Sequence, residues 1–214
     1  MFLDANLISS AVTTIFLAIF TSVFGVTPSS PDFSVSYQQP SAVVFYLLYA
    51  AVAAPIVEEI LFRGLILRSL QNFGNIFAII VSSLLFGLWH GNFEQAIPIL
   101  CSSVLFGIIA IRSNSIVPSI IAHSLNNIII AAFSFADTSL SASLAQTLNL
   151  GAFFFLLLAG ALILAFSLSS LKVSDFNRSS LSYQQRFVAV CSTPAVIALL
   201  FVFVLQFGMT LLPQ

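Results

Sequence analysis

Charge is what this sequence lacks most. Only 6% of its 214 residues are Asp, Glu, Lys or Arg, seven acids against six bases, whereas a soluble domain commonly devotes about a quarter of its residues to them. A chain so poor in ionised side chains cannot cover a water-facing globule of its size, which excludes a soluble enzyme. The net charge of -1 and the absence of a basic cluster exclude a nucleic-acid partner. Cysteine is also scarce: Cys101 and Cys191 lie in apolar runs without CxxC spacing and read as small hydrophobes. What is abundant is apolar surface. Hydrophobic residues make up 59% of the chain, including 23 Phe, and the mean hydropathy is +1.11. That excess excludes a disordered chain and predicts a protein embedded in a bilayer.

A hydrocarbon core about 30 Å thick needs roughly 20 apolar residues in a helix. Seven runs qualify or come close: Leu7 to Val26, Ser41 to Leu70, Ile76 to His90, Ala96 to Ile111, Ile116 to Phe135, Leu148 to Leu171, and Phe187 to Leu212. The expected fold is therefore all-α, a polytopic transmembrane bundle of about seven helices. The connections are too short for a soluble domain, so residues 1–214 read as one membrane-embedded unit with its motif-bearing core at about 41–136. The first run has neither a basic n-region nor a cleavage pattern and reads as a retained helix.

The few basic residues set orientation. Arg63 and Arg68, then Arg112, then Lys172, Arg178 and Arg186 fall in alternate connections of the seven-helix arrangement. Basic residues concentrate in cytoplasmic loops, which puts the N-terminus in the cytoplasm. The expected location is the plasma (inner) membrane of a prokaryote.

Three charges break this pattern. The run AVAAPIVEEILFRGLILRSL places Glu58, Glu59 and Arg63 inside an apolar segment, where each ionised group costs about 2.5 to 3.5 kcal/mol by insertion scales and by default marks a functional site. Helical spacing separates the two acids. Glu59 and Arg63 are i,i+4 and share a face, whereas Glu58 lies about 100° round the helix from Glu59. Glu59 is expected to pair with Arg63, which leaves Glu58 as the carboxylate available for chemistry.

The only two histidines, His90 and His123, also lie in or at the ends of apolar runs. Asn127 follows His123 at i+4, so imidazole and carboxamide share a face, and Phe86 gives His90 an apolar wall in the same way. At about 1.5 Å per residue, Glu58 stands on the order of 20 Å and His90 on the order of 22 Å from the turn near Asn72 to Asn75. His123 and Asn127 come out at roughly 12 to 20 Å from the loop at Ser113. A carboxylate, two imidazoles and an amide are thus expected in one lipid-excluded cavity.

A buried carboxylate beside an imidazole can hold and deprotonate a water, and an imidazole with a carboxamide can donate hydrogen bonds to a developing oxyanion. These parts suit amide hydrolysis without a covalent intermediate. Glu58, His90 and His123 could instead hold zinc or another divalent metal, since two His and one Glu is a catalytic zinc shell. The HExxH pattern is absent, and His123 is better used with Asn127, so the residues favour chemistry without a metal. An ion or proton pathway would call for more acidic or broken-helix positions.

At these residues the sequence resembles the CPBP family of intramembrane endopeptidases, which includes the type II CaaX prenyl proteases and the bacterial Abi proteins. Glu58-Glu59-Ile60-Leu61-Phe62-Arg63-Gly64 is similar to its EExxxR motif, Phe86-Gly87-Leu88-Trp89-His90 to FxxxH, and His123-Ser124-Leu125-Asn126-Asn127 to HxxxN. The likeness covers roughly Ala53 to Ala131. It implies proteolysis within the membrane, with Glu58 and His90 activating water, His123 and Asn127 stabilising the oxyanion, and Glu59, Arg63 and Phe86 in support. The implied substrate is a membrane-embedded or lipid-modified protein or peptide, CaaX-type prenylated chains among them, met among membrane lipids. The family has been described both as metalloproteases and as metal-free glutamate proteases. The competing reading is a noncatalytic Abi-type bacteriocin-immunity or partner-binding membrane protein.

Overall fold

A computed structural model describes residues 39–91, 93–141 and 180–210, with positions 14, 15, 18, 19, 21–23, 25, 143–148, 151, 152 and 173 besides. Among the described residues every regular element is helical. α1 is Ser41–Phe73, α2 Asn75–Trp89, α3 Phe93–Ser113, α4 Val117–Ser139, α5 Tyr183–Cys191 and α6 Pro194–Thr210. α1 and α4 are long and apolar enough to cross a membrane, and α2 is a shorter apolar helix. Rows of Phe, Ile, Leu and Val are exposed along the bundle, among them Phe45, Ile80, Ile121 and Phe201, as lipid-facing surface requires. The first and sixth expected runs, Leu7 to Val26 and Leu148 to Leu171, lie largely outside the described residues.

The seventh expected run is not one helix. It divides into α5 and α6, which meet at 73°. Pro194 explains the break: it has no N–H for the preceding turn, and it biases Thr193 away from helical geometry. α5 also starts earlier than expected, at Tyr183, because Ser182 and Gln185 form a reciprocal capping box. Arg186, expected in a loop, therefore lies inside a helix. It is buried, donating to the carbonyls of Phe73 at the end of α1 and of Leu181.

α1 is continuous but not regular. It carries π-helical turns at Tyr49–Ala53 and Ile60–Leu67 on either side of the glutamates. Pro55 accounts for the first. Its ring would clash with a carbonyl one turn back in a regular helix, and the wider turn relieves this. In that register the amide of Ala54 donates to the carbonyl of Tyr49, five residues earlier. The next pairing, Ala50 with Pro55, has no N–H to supply. Asn127 of α4 fills the gap, its Nδ2 donating to the Ala50 carbonyl at 2.7 Å.

α2 and α3 pack through small residues, the usual means of close approach between helices in a membrane. Ala78, Ser82 and Ser83 of α2 and Ser103 and Ala110 of α3 are buried. A Cβ on Gly107 would stand 3.3 Å from Ile79 and 3.4 Å from Leu67 of α1. Cys101 and Cys191 are free thiols, both half-buried.

Arg63 joins these helices. Its Nη1 lies 3.0 Å from Glu59 Oε1, as the i,i+4 spacing predicts. Its Nη2 donates to the Ser103 carbonyl at 3.0 Å and to Ser103 Oγ at 2.6 Å. The guanidinium carbon stands 4.6 Å from the Phe86 ring centroid and 5.4 Å from that of Phe106, so one buried cation ties α1, α2 and α3 together.

Removing one partner of a buried ion pair strands the other charge, at a cost of about 3 to 5 kcal/mol. Arg63→Ala should therefore sharply lower the folded, monodisperse fraction extracted in mild detergent; wild-type yield would count against the clamp. The carbonyl left open by Pro55 makes a separate prediction. Asn127→Ala should cost about 1 to 2 kcal/mol in thermal unfolding, and adding Pro55→Ala, which restores an N–H to the helix, should recover most of that loss.

Candidate active site

Three helices, α1, α2 and α4, carry the expected site residues, and the Phe86 ring lies between the two histidines. Its centroid is 5.0 Å from the His90 ring and 5.7 Å from the His123 ring, besides its contact with Arg63. The two histidines, 33 positions apart in sequence, thus share one wall, in keeping with the rough depths read from helix rise. His90 caps the C-terminus of α2, and its Nδ1 lies 2.9 Å from the Phe86 carbonyl. A carbonyl only accepts, so Nδ1 carries the proton. Gly91 follows with φ of +73°, a left-handed cap that suits glycine. A Cβ there would lie 2.3 Å from Gln206 Oε1, which brings α6 against the turn that carries His90.

The 100° separation of Glu58 and Glu59 predicts that they cannot point at one spot; the structure corrects this, because both lie against His123, although their exposures differ. The Glu59 side chain is wholly buried, whereas that of Glu58 retains 18% exposure. The structure also shows what spacing within α1 could not: both acids face one imidazole. His123 places Nδ1 3.1 Å from Glu59 Oε1 and Nε2 3.6 Å from Glu58 Oε2. Glu59 therefore serves two partners, Arg63 and His123, rather than Arg63 alone.

His123 and Asn127 share the face of α4 turned toward α1, but they engage different targets. The imidazole meets the glutamates, while one amide N–H of Asn127 is committed to Ala50. The second carboxamide hydrogen is what Asn127 has to offer a reacting oxygen.

Two further residues belong to the site. Phe106 is stacked on the His123 ring, centroids 4.8 Å apart and planes 20° from parallel, and Ser103 holds Arg63. Both come from α3, which carries no recognisable motif. The available signal was Ser103 and Phe106 at i,i+3 within the run Ala96 to Ile111, where a polar side chain and an aromatic one share a helical face.

The donor set bears on a metal. Among the described residues no three His, Cys, Asp or Glu side chains converge as ligands. Glu58 and His123 form a pair only, and the second nitrogen of His123 is engaged by Glu59.

Residues 40–129 match the family described as "Type II CAAX prenyl endopeptidase Rce1-like". A protein of Bacillus subtilis (strain 168) named "Putative membrane peptidase YdiL" is 26% identical over 127 residues, 55% of this chain and 52% of that protein. The chain thus spans about half the length of this curated relative. No solved structure matches. The matched span holds Glu58, Glu59, Arg63, Phe86, His90, His123 and Asn127, and over residues 40–129 the chain is similar to that family.

Proposed function

We propose that this protein is an intramembrane endopeptidase that hydrolyses a peptide bond of a membrane-associated substrate, using water activated by Glu58. The observation that carries this reading is the contrast within the glutamate pair. Glu59 is sealed from solvent, whereas Glu58 is reachable and faces His123 Nε2.

In this mechanism Glu58 accepts a proton from water while the oxygen attacks the scissile carbonyl. His90, its Nδ1–H held by the Phe86 carbonyl, is assigned the orientation of that water. The negative charge developing on the carbonyl oxygen falls beside His123 and the remaining N–H of Asn127. Fixed donors in a site screened from water stabilise such charge strongly. Collapse of the tetrahedral intermediate breaks the C–N bond, and a proton passes to the leaving amine. The donor set favours a route without a metal.

The substrate class follows from location. Glu58 and Glu59 lie near the middle of α1, so a substrate must reach the chemistry from within the bilayer, either as a membrane-embedded segment or carried by a lipid such as the prenyl group of a CaaX protein. The proposed setting is the inner membrane of a prokaryote, with the N-terminus cytoplasmic. In support, Arg68 donates to Asn114 at 3.0 Å and Arg186 to the Phe73 carbonyl, which brings two basic groups and the turn after Arg112 to one end of the bundle.

Glu58→Gln keeps the shape of the side chain and removes the base. General-base catalysis contributes about 100-fold to 10,000-fold, so cleavage of a membrane-extracted reporter peptide should drop by at least that lower figure while folded yield is unchanged. Near-normal turnover would eliminate Glu58 as the base, and biological protection persisting in this variant would favour the partner-binding alternative. Treatment with a strong chelator should leave activity intact, with no stoichiometric metal in the purified protein by elemental analysis.

A further inference from the structure

We infer that Glu59 is a positioning residue for His123, fixing which ring nitrogen carries the proton, and so determines what His123 can do in catalysis. The inference rests on the proteolytic reading for its chemical consequence, but its structural content stands alone.

The geometry allows little latitude. Glu59 Oε1 forms an ion pair with Arg63 Nη1 at 3.0 Å and lies 3.1 Å from His123 Nδ1. The side chains of Glu59 and Arg63 are 0% and 1% exposed, so water does not compete for either contact. A carboxylate oxygen engaged by a guanidinium offers lone pairs only, and the hydrogen of the Glu59–His123 contact must lie on Nδ1. The ring cannot turn over to exchange its nitrogens without leaving its packing. Phe106 is stacked on one face, and Phe86 meets it edge-on at 82° with centroids 5.7 Å apart. Neutral His123 is therefore the Nδ1–H tautomer, and Nε2 points its lone pair toward Glu58 Oε2.

This alters the chemistry open to His123. With Nδ1–H committed to Glu59, a neutral His123 has no N–H to give an oxyanion, and it becomes a donor there only after Nε2 has gained a proton. Glu58, 3.6 Å away, is the group that supplies it. Water gives a proton to Glu58 as its oxygen bonds to the carbonyl carbon, and the C=O π pair moves to oxygen. The proton passes from Glu58 Oε2 to His123 Nε2. The imidazolium then hydrogen-bonds the oxyanion through Nε2–H. When the C–N bond breaks, its electron pair leaves on nitrogen, the oxyanion re-forms C=O, and the same proton goes to the amine. One water and one amide become one carboxylic acid and one amine, with both glutamates and both histidines restored. Glu59 also holds the imidazolium between two carboxylates, a second acidic partner that the i,i+4 pairing with Arg63 did not suggest.

The chain contains only two histidines, so nitrogen NMR of full-length protein labelled with 15N-histidine gives a two-residue spectrum, assigned through a His90→Gln variant. His123 is expected with Nδ1 protonated in the unliganded wild type. An Nδ1 without a proton overturns the inference, and this reading requires no turnover and no variant at Glu59. In Glu59→Gln, which keeps a polar partner for Arg63, the Nε2–H tautomer should grow at the expense of Nδ1–H. The kcat should fall at least about tenfold with KM little changed, and the thermal midpoint should also fall because Arg63 loses its counter-ion, so the tautomer spectrum is the readout that separates the positioning role from the loss of the ion pair. A His123 spectrum identical in the two proteins would mean that Glu59 serves Arg63 alone. Failure of the protease assay with the expected tautomer present would refute the proposed reaction and leave the positioning role standing.

Discussion

A guanidinium buried among apolar helices is the constraint on which the site depends. Arg63 is 1% exposed, and a charge so placed is tolerable only if it is paired and its N–H groups find acceptors. Glu59 meets the first need from the same helix. Ser103 supplies acceptors from α3 for Nη2 alone, leaving Nε without one, and the rings of Phe86 and Phe106 cover the cation from α2 and α3. Accommodating Arg63 thus brings three helices into contact at one depth. Glu59, once buried as its counter-ion, has an oxygen turned toward α4, and His123 completes the group. The residues that hold the bundle together and those that face the reaction are therefore adjacent turns of one helix.

Much of this was legible in the sequence where a local rule applied. The Glu59–Arg63 pair follows from i,i+4 spacing alone, and it survives the π turn that begins at Ile60. The different exposures of Glu58 and Glu59 follow from their angular separation. The contact of His90 and His123 with one ring, Phe86, fits the rough depths from helix rise, although that count matched Glu58 with His90 and put His123 less closely. Each is a property of one or two helices and a turn.

The features hidden from the sequence depend on contacts between helices whose rotation no short pattern records. His123 reaching both glutamates, Phe106 stacked on it, and Ser103 beneath Arg63 all require the azimuths of α3 and α4 relative to α1. The break at Pro194 was visible as a proline but was absorbed into a continuous apolar run, because hydropathy has no sense of direction. Pro55 likewise left the apolar pattern of α1 unbroken. Its effect on Ala50, and through it on Asn127, appears only when the backbone hydrogen bonds are followed one at a time.

The two π turns have a bearing on how this chain can change over generations. They bracket Glu58 and Glu59 on both sides, and each residue added to or removed from a helix rotates every later side chain by about 100°. Losing a single codon from Tyr49–Ala53 would let that turn tighten into ordinary helix, and it would swing the glutamates away from α4 even though every side chain of the site survived. Neighbouring lipid-facing residues such as Phe45 and Val57 can drift among apolar types without moving the acids. Inheritance along this helix is thus tolerant of spelling and strict about length.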